Sequence, residues 1–419
     1  MISVSKSERW TISTDYIKEA LLFLYLIIPF SSNVVKKILS VVGISEISIH
    51  VTIIPIIFLY ICLCMFEGKL LVIDFWAIYF LVSLFFLLTY LFHPEYEYWY
   101  ARSKYGVWDY VLRPDNGIFI YLFLRLINDP KVIIRTIKAS AWPMYLWYGY
   151  CVLQALKQGY WVDYSNLGYE IHLSYNLALG YNLLIFTLPF LLGAFQEKKR
   201  SDILGSIIGI GMMLVGGSRG PFLDIAVFIL IYLLIKVNKS KNKVFLSFSV
   251  VIGTFLIWVG YPVVLRGIAV VLEKLNLPSR FVTKVLMGGI MDDSGRSVIW
   301  SAAVGMIKRN PLGYGAMGSR HELAQYIYVA HPHQFFLEVL IDFGVIVGTL
   351  FLVWLSFYTI KLFIMKGQDE WKWVFLVFFA RACQLLLSLT FWHSIALWGA
   401  LAVGVCMTKA QEKGLKYVG

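Results

Sequence analysis

Runs of roughly 20 apolar residues recur from one end of the chain to the other and restrict the fold to a helical membrane protein. The chain is 59% hydrophobic and only 15% charged, whereas an average soluble domain is about 25% charged. In lipid, backbone N–H and C=O groups must find partners within the protein, so each apolar run is predicted to be a helix. The predicted fold is an all-α polytopic integral membrane protein with about 12 transmembrane helices: roughly 17–35, 49–66, 70–92, 114–128, 136–156, 173–195, 202–217, 221–236, 244–260, 336–360, 373–390 and 393–408.

The distribution of Lys and Arg predicts the orientation of these helices. With the N-terminus inside, the inner segments carry 20 Lys and Arg, and the short outer segments carry 7. Both termini are therefore expected in the cytoplasm. Three regions follow: 1–260 with helices 1–9, 261–335 as a large periplasmic loop, and 336–419 with helices 10–12 and a cytoplasmic C-terminus. The net charge of +12 is attributed to the inner loops and anionic lipid, not to nucleic acid.

The N-terminal segment is polar and is not followed by a short apolar core with a small-residue cleavage site, so no removable signal peptide is expected.

The loop 261–335 is the one long polar interval and concentrates cationic and titratable side chains between apolar flanks. Within it, Asp293 or Ser294 is predicted to cap a short amphipathic helix, Arg296–Lys308, which ends at Asn310. A membrane protein that gathers such groups in one loop is expected to carry out its chemistry there.

A second cationic position is Arg219, in the segment GGSRGPFLD between two predicted spans. Pro221 suits the first turn of a helix, so Arg219 is placed at the positive N-terminal end of that helix. Helix dipole and guanidinium both favour an anion at this point. Asp224, about one turn further, is expected to pair with Arg219. The alternative is an interfacial arginine that only reaches toward the headgroups.

Two outer segments, 93–115 and 158–176, are rich in Tyr and Trp. They fit either an interfacial aromatic belt or a platform on which sugar rings stack. The sequence leaves both interpretations open.

His331 and His333 stand at the entry to the span 336–360. A metal site is not expected, because an HxH pair does not place both rings on one helix face and no cysteine accompanies it; no cofactor is expected either. A histidine titrates near neutrality and can deprotonate a sugar hydroxyl. Arg219 and Arg296 can hold a leaving diphosphate. These groups fit glycosyl transfer from a lipid diphosphate.

The segments GGSRGPF, GRSVIWSAAVGMIKRNPLGYGAMG and AHPHQFFLEVLIDFGVIVG, in this order, resemble the O-antigen polymerase (Wzy-type) and O-antigen ligase superfamily of bacterial membrane glycosyltransferases. The resemblance covers roughly Gly205–Leu355. It implies metal-independent, inverting transfer at the periplasmic face of the inner membrane, from a glycan carried on undecaprenyl diphosphate.

The resemblance also implies roles for individual residues. Arg219 and Arg296 would hold the diphosphate, and His333 would activate the acceptor hydroxyl. Gln334 stands where Asn is commoner, and His331 is a second histidine, so which of the two histidines acts is left open. The other arginines of the loop are expected as secondary phosphate or glycan ligands: Arg266, Arg280 and Arg320.

The expected activity is polymerisation of lipid-linked repeat units into O-antigen or a related surface polysaccharide, with a second lipid-linked unit as acceptor. One alternative is a ligase that transfers glycan to lipid A–core. Another is a flippase or transporter for the lipid-linked glycan, for which Arg125 and Arg381 are the charged residues inside predicted spans. By resemblance, the partners are the lipid-linked donor and acceptor, membrane lipid and a chain-length regulator protein.

Overall fold

A computed structural model describes residues 13–102, 105–115, 117–164, 170–173, 175–239, 242, 263, 266–274, 282, 285–287, 295–327 and 331–416. Helices dominate these ranges. The longer ones are α1 (Thr14–Leu26), α2 (Ile28–Ser40), α3 (Ser48–Glu67), α4 (Ile73–Phe92), α5 (Glu97–Tyr100), α6 (Phe119–Ile127), α7 (Pro130–Gln158), α8 (Leu177–Gln196), α9 (Arg200–Gly216), α10 (Gly220–Lys239), α11 (Arg296–Arg309), α12 (Gly318–Tyr326), α13 (Phe335–Ile364), α14 (Asp369–Ala382) and α15 (Ile395–Lys416). Short helical turns lie at Ser45–Ile47, Pro94–Tyr96, Trp108–Leu112, Cys383–Leu386 and Phe391–His393.

Several of these helices are long and apolar enough to cross a membrane, which makes the chain an all-α multi-pass membrane protein in its described part. Within that part, α3, α4, α8, α10 and α13 meet this condition, and α1 with α2, bent by 71°, adds a sixth span if the pair is counted as one. The predicted span 244–260 lies outside the described residues. The others each overlap a helix, but α6 has only 9 residues, so the total of about 12 stays a prediction.

A β-hairpin departs from the all-α prediction. Strands β1 (Trp161–Tyr164) and β2 (Glu170–Leu173) pair antiparallel in the outer segment 158–176. Gly159, with a φ of 80°, ends α7 and turns the chain toward β1. The predicted aromatic segment is therefore partly a strand pair.

Ion pairs connect segments that the Lys and Arg distribution assigns to the same side. Lys131 bonds Glu370 at 2.9 Å, and Arg135 bonds Glu19 at 2.7 Å. These contacts place the starts of α1, α7 and α14 at one end of the helical assembly. The side of the membrane that this end faces stays a prediction.

The helix α8 is the most enclosed of the apolar helices in the described residues: 78% of its most apolar 18-residue stretch is buried inside the protein. It packs closely on α9 through small residues: a Cβ at Gly209 would lie 2.1 Å from Thr187 Oγ1, and one at Gly205 would lie 2.6 Å from the Phe190 ring. Small residues let helix backbones approach in this way inside membranes. The two helices therefore hold the turn after α9 firmly in place.

The helix α13 is broken at Gly344, where φ is 76° and ψ is 169°. The backbone of residues 311–315 fills the break. Tyr314 N–H donates to the Ile341 carbonyl at 2.8 Å, Gly315 N–H donates to the Asp342 carbonyl at 3.0 Å, and Val345 N–H donates to the Pro311 carbonyl at 2.8 Å. Backbone groups that lose their intrahelical partners at the break are therefore hydrogen-bonded to the backbone of the loop.

The amphipathic helix of the loop is confirmed as α11, which ends at Asn310. Ile299, Ala303 and Met306 of its predicted apolar face are buried, whereas Val298 is 61% exposed. The predicted cap at Asp293 or Ser294 is wrong. The cap is Gly295, whose φ of 80° suits glycine and replaces a side-chain cap.

We expect Gly344→Ala to destabilise the protein. Its backbone conformation is essentially restricted to glycine and costs about 1–3 kcal/mol for other residues, and the added Cβ would lie 2.4 Å from the Leu312 carbonyl oxygen. Thermal unfolding in detergent should show a clear fall in Tm. Gly211→Ala is the control, because Gly211 lies in α9 with nothing within 4 Å of a built Cβ. Equal Tm values for the two variants would contradict this account.

Candidate active site

The turn between α9 and α10 presents Arg219 at the N-terminal end of α10, as predicted. Gly217, with a φ of 72°, ends α9, and Pro221 lies in the first turn of α10. Arg219 is half-buried there. Asn176 N–H donates to the Gly216 carbonyl at 2.9 Å and ties the start of α8 to the same turn.

Tyr181, from α8, lies directly beneath this turn. Its hydroxyl would be 1.6 Å from a Cβ on Gly220, so no side chain fits at that position. The Arg381 guanidinium, from α14, lies 5.4 Å from the centre of the Tyr181 ring. The charges of Arg219, Arg296 and Arg381 all act on the Tyr181 hydroxyl. Three guanidinium groups from three separate segments therefore lie within electrostatic range of one tyrosine.

The expected pairing of Asp224 with Arg219 is wrong. Asp224 is fully buried, and neither carboxylate oxygen has a hydrogen-bond partner among the described residues. Its charge acts with that of Arg381 instead. Five residues along a helix correspond to a rotation of about 140°, so Asp224 points away from Arg219 and toward α14.

The two histidines of the HPH segment lie together, but in different environments. Their ring centres are 4.2 Å apart. His331 is 6% exposed, and neither ring nitrogen has a partner among the described residues. His333 is half-buried and has a φ of 55°. The accessible imidazole of the pair is thus His333. In the described ranges, no group of three or more His, Cys, Asp and Glu side chains is arranged so that it could hold a metal ion.

Both imidazoles are neutral at physiological pH. Burial lowers the pKa of His331 well below its usual value, and the charges of His333 and Arg320 lower it further. Burial, then the charge of Arg296, lower the pKa of His333 to about 4. Arg296 therefore acts on both His333 and Tyr181, which links the histidines to the arginines around the turn.

The start of α13 is fixed by residues that the sequence argument did not assign. The Gln334 side chain accepts a hydrogen bond from Leu337 N–H at 2.7 Å and caps the helix. This capping function explains why an amide residue follows His333. One turn on, the buried Glu338 accepts from Phe391 N–H at 3.3 Å, and the buried Asp342 accepts from Trp392 Nε1–H at 2.9 Å. These two hydrogen bonds attach the start of α13, which follows the histidines, to the connection between α14 and α15.

Arg320 is 3% exposed and lies among aromatic rings. Its guanidinium is 4.9 Å from the Trp99 ring centre and 5.7 Å from that of Tyr105, and it donates to the Tyr105 carbonyl. Burial lowers its pKa. Arg320 thus attaches the aromatic segment 93–115 to the loop beside His331, and its predicted contact with phosphate or glycan stays a prediction.

The remaining loop arginines stay predictions. Arg266 is exposed on the helical stretch 266–274, whose residue Leu272 packs in one cluster with Leu214 and Val215 near the end of α9. Arg280 lies outside the described residues.

Tyr181 is a further site residue that was not predicted, and Arg381 was predicted only for the transporter alternative. A charge inside a predicted span was the available signal for Arg381. The other charged residue of this kind, Arg125, lies elsewhere and bonds Asp74 at 2.8 Å.

Comparison with known proteins gives one family match. Residues 204–352 match the family model described as O-antigen ligase. The matched stretch runs from α9 into α13 and contains Arg219, Arg296 and both histidines; Arg381 lies beyond it. No curated protein and no solved structure matches the chain. Over residues 204–352, the chain is therefore similar to the O-antigen ligase family.

Proposed function

We propose that this protein polymerises undecaprenyl-diphosphate-linked repeat units into O-antigen or a related surface polysaccharide, at the periplasmic face of the inner membrane. The family match supports a role in polysaccharide biosynthesis, and members of the family are glycosyltransferase-like enzymes. The observation that carries the proposal is the position of Tyr181, which lies against the turn that holds Arg219 and 5.4 Å from the Arg381 guanidinium. Arg296 is within electrostatic range of both Tyr181 and His333.

The arginines would hold the donor diphosphate. A guanidinium matches two phosphate oxygens at once and keeps its charge, so it stabilises the negative charge that develops on the leaving diphosphate. Arg219 adds the positive end of α10 to this field. The side chain of Gln384, which accepts a hydrogen bond from the Arg381 guanidinium, would keep Arg381 oriented.

His333 would act as the general base. Its neutral imidazole takes the proton from an acceptor hydroxyl, and the hydroxyl oxygen attacks the anomeric carbon of the donor. The bond between that carbon and the diphosphate oxygen breaks, and the lipid diphosphate leaves with the bonding electrons. A single displacement of this kind inverts the configuration. His331, buried against the His333 ring, would position that ring.

The runner-up is a ligase that moves finished glycan to lipid A–core; the family match supports both activities equally. Both activities use the same groups on the donor. A deletion strain separates them: the polymerase is supported if long chains are lost while one repeat remains attached. Complete loss of attached glycan would overturn the polymerase in favour of the ligase.

A third alternative is passage of the lipid-linked glycan across the membrane. The test uses the purified protein with a synthetic lipid-linked repeat unit, without metal or nucleotide. Formation of longer glycan supports transfer chemistry, whereas intact binding without turnover would favour a transporter.

His333→Ala should reduce turnover by about 10²- to 10⁴-fold, because a positioned general base contributes this much. Donor binding and thermal stability should persist. His50→Ala is the control, since His50 is an exposed histidine of α3. If the His333→Ala variant turns over substrate at nearly the wild-type rate, another group acts as the base.

The pH profile should reflect the low pKa of His333. Because burial holds that pKa at about 4, the base form persists well below the usual histidine value of about 6.5. We expect kcat/KM to stay level from pH 7 to about 5 and to fall only toward pH 4. The free energy of unfolding should fall over a wider range, as the pH drops from about 6.5 toward 4. In this range His333 binds a proton in the unfolded chain but not in the folded protein. A midpoint in kcat/KM near 6.5 would contradict this environment.

Arg381→Gln should weaken donor binding at least about tenfold, because a hydrogen bond to a charged group contributes about 1.5–3 kcal/mol. Arg219→Ala and Arg296→Ala should do the same. Affinity for the lipid-linked donor is measured by titration of the purified variants, with Arg200→Gln as the control at an exposed position of α9. Unchanged affinity in Arg219→Ala would mark that residue as an interfacial cation only.

A further inference from the structure

A cavity of about 410 Å³ lies away from the arginine and histidine site. Cationic side chains line it together with an acidic one: Lys18, Lys69, Arg125, Lys409 and Glu67. Apolar groups, including Leu126 and Trp371, complete its walls. The contributing segments are α1, the α3–α4 turn, the end of α6, the start of α14 and the far part of α15.

Helix geometry places this cavity at the opposite end of the assembly from the site. In α14, Trp371 lines the cavity and Arg381 lies at the site, and ten residues of helix separate them by about 15 Å. In α15, which starts beside the site-side connection, Lys409 lies 14 residues from Ile395, or about 21 Å. The predicted orientation assigns the cavity end to the cytoplasm.

The cavity carries an excess of positive charge. Four of its lining residues are Lys or Arg and one is Glu. Asp74 bonds Arg125 at 2.8 Å and lies 3.7 Å from Lys409, so one carboxylate serves two of the four cations. Lys18 bonds Asp15 at 2.9 Å, but the Asp15 side chain is 83% exposed, so water weakens that pair.

This arrangement is more than the usual enrichment of lysine in cytoplasmic loops. That enrichment requires only exposed cations, whereas the Arg125 side chain is 8% exposed and is held by Asp74 at the cavity wall. The cations also come from separate segments that the fold brings together. Apolar walls beside the cations suit a ligand that has an anionic headgroup and hydrocarbon chains.

We propose that this cavity binds the phosphate headgroup of an anionic membrane lipid, with the cations around the phosphate and the lipid chains against the apolar walls. Anionic lipids of the cytoplasmic leaflet attract basic residues near the surface, and a guanidinium or ammonium group binds phosphate directly. The proposal does not depend on glycosyl transfer. A free phosphate ion shares the head chemistry but makes no use of the apolar walls.

The test uses the full-length protein in nanodiscs of phosphatidylcholine, with or without phosphatidylglycerol. Phosphatidylglycerol should raise the Tm of the wild type by at least about 3 °C, a shift of the size expected for one bound ligand. It should also remain bound in native mass spectra. In the Lys18→Gln/Lys69→Gln double variant, the Tm shift should fall by more than half and lipid retention about tenfold.

The control variant is Lys361→Gln/Lys366→Gln, which removes two exposed lysines outside the cavity wall. It should respond to phosphatidylglycerol as the wild type does. Both variants should share the wild-type Tm in phosphatidylcholine alone, which shows that they fold. An equal Tm shift in the cavity variant and the control would overturn the proposal. Equal stabilisation by inorganic phosphate in phosphatidylcholine discs would overturn the lipid as the ligand.

Discussion

The insertion of residues 311–315 into the break of α13 is the contact on which the candidate site depends. A helix interrupted within a membrane leaves backbone groups without partners, and each such group costs several kcal/mol. Here the loop backbone supplies three hydrogen bonds to the two sides of Gly344. Because α11 ends just before this loop and α13 begins just after the HPH segment, these bonds fix Arg296 relative to His333. The loop is thereby part of the helical framework and not an appendage.

The electrostatics of the site follow from that rigid framework. Three guanidinium groups within electrostatic range of one tyrosine repel each other. The diphosphate of the proposed donor would offset this repulsion. Burial, and to a smaller extent the charge of Arg296, keeps the imidazole of His333 unprotonated.

Local patterns in the sequence predicted the parts of this site that local physics determines. Pro221 marked the start of α10, and Asn310 marked the end of α11, because helix boundaries depend on a few neighbouring residues. The Gly295 cap was missed because its conformation depends on how the loop enters the helix. The pairing of Asp224 was predicted with its neighbour along the chain, whereas the charge that acts on it, that of Arg381, comes from another helix. Contacts between distant segments leave no local pattern to read.

Arg125 and Arg381 give the same signal in the sequence, a charge within a predicted span, yet the structure treats them differently. Arg125 bonds the carboxylate of Asp74, whereas Arg381 bonds the neutral amide of Gln384 and so keeps more of its charge for a ligand. Transport would require polar groups that continue from one end of the assembly to the other. Between the cavity and the site, α14 instead presents buried apolar side chains: Val374, Phe375, Leu376, Val377 and Phe378. On α14, these apolar side chains separate the two charged positions, which favours chemistry at one face over passage between faces.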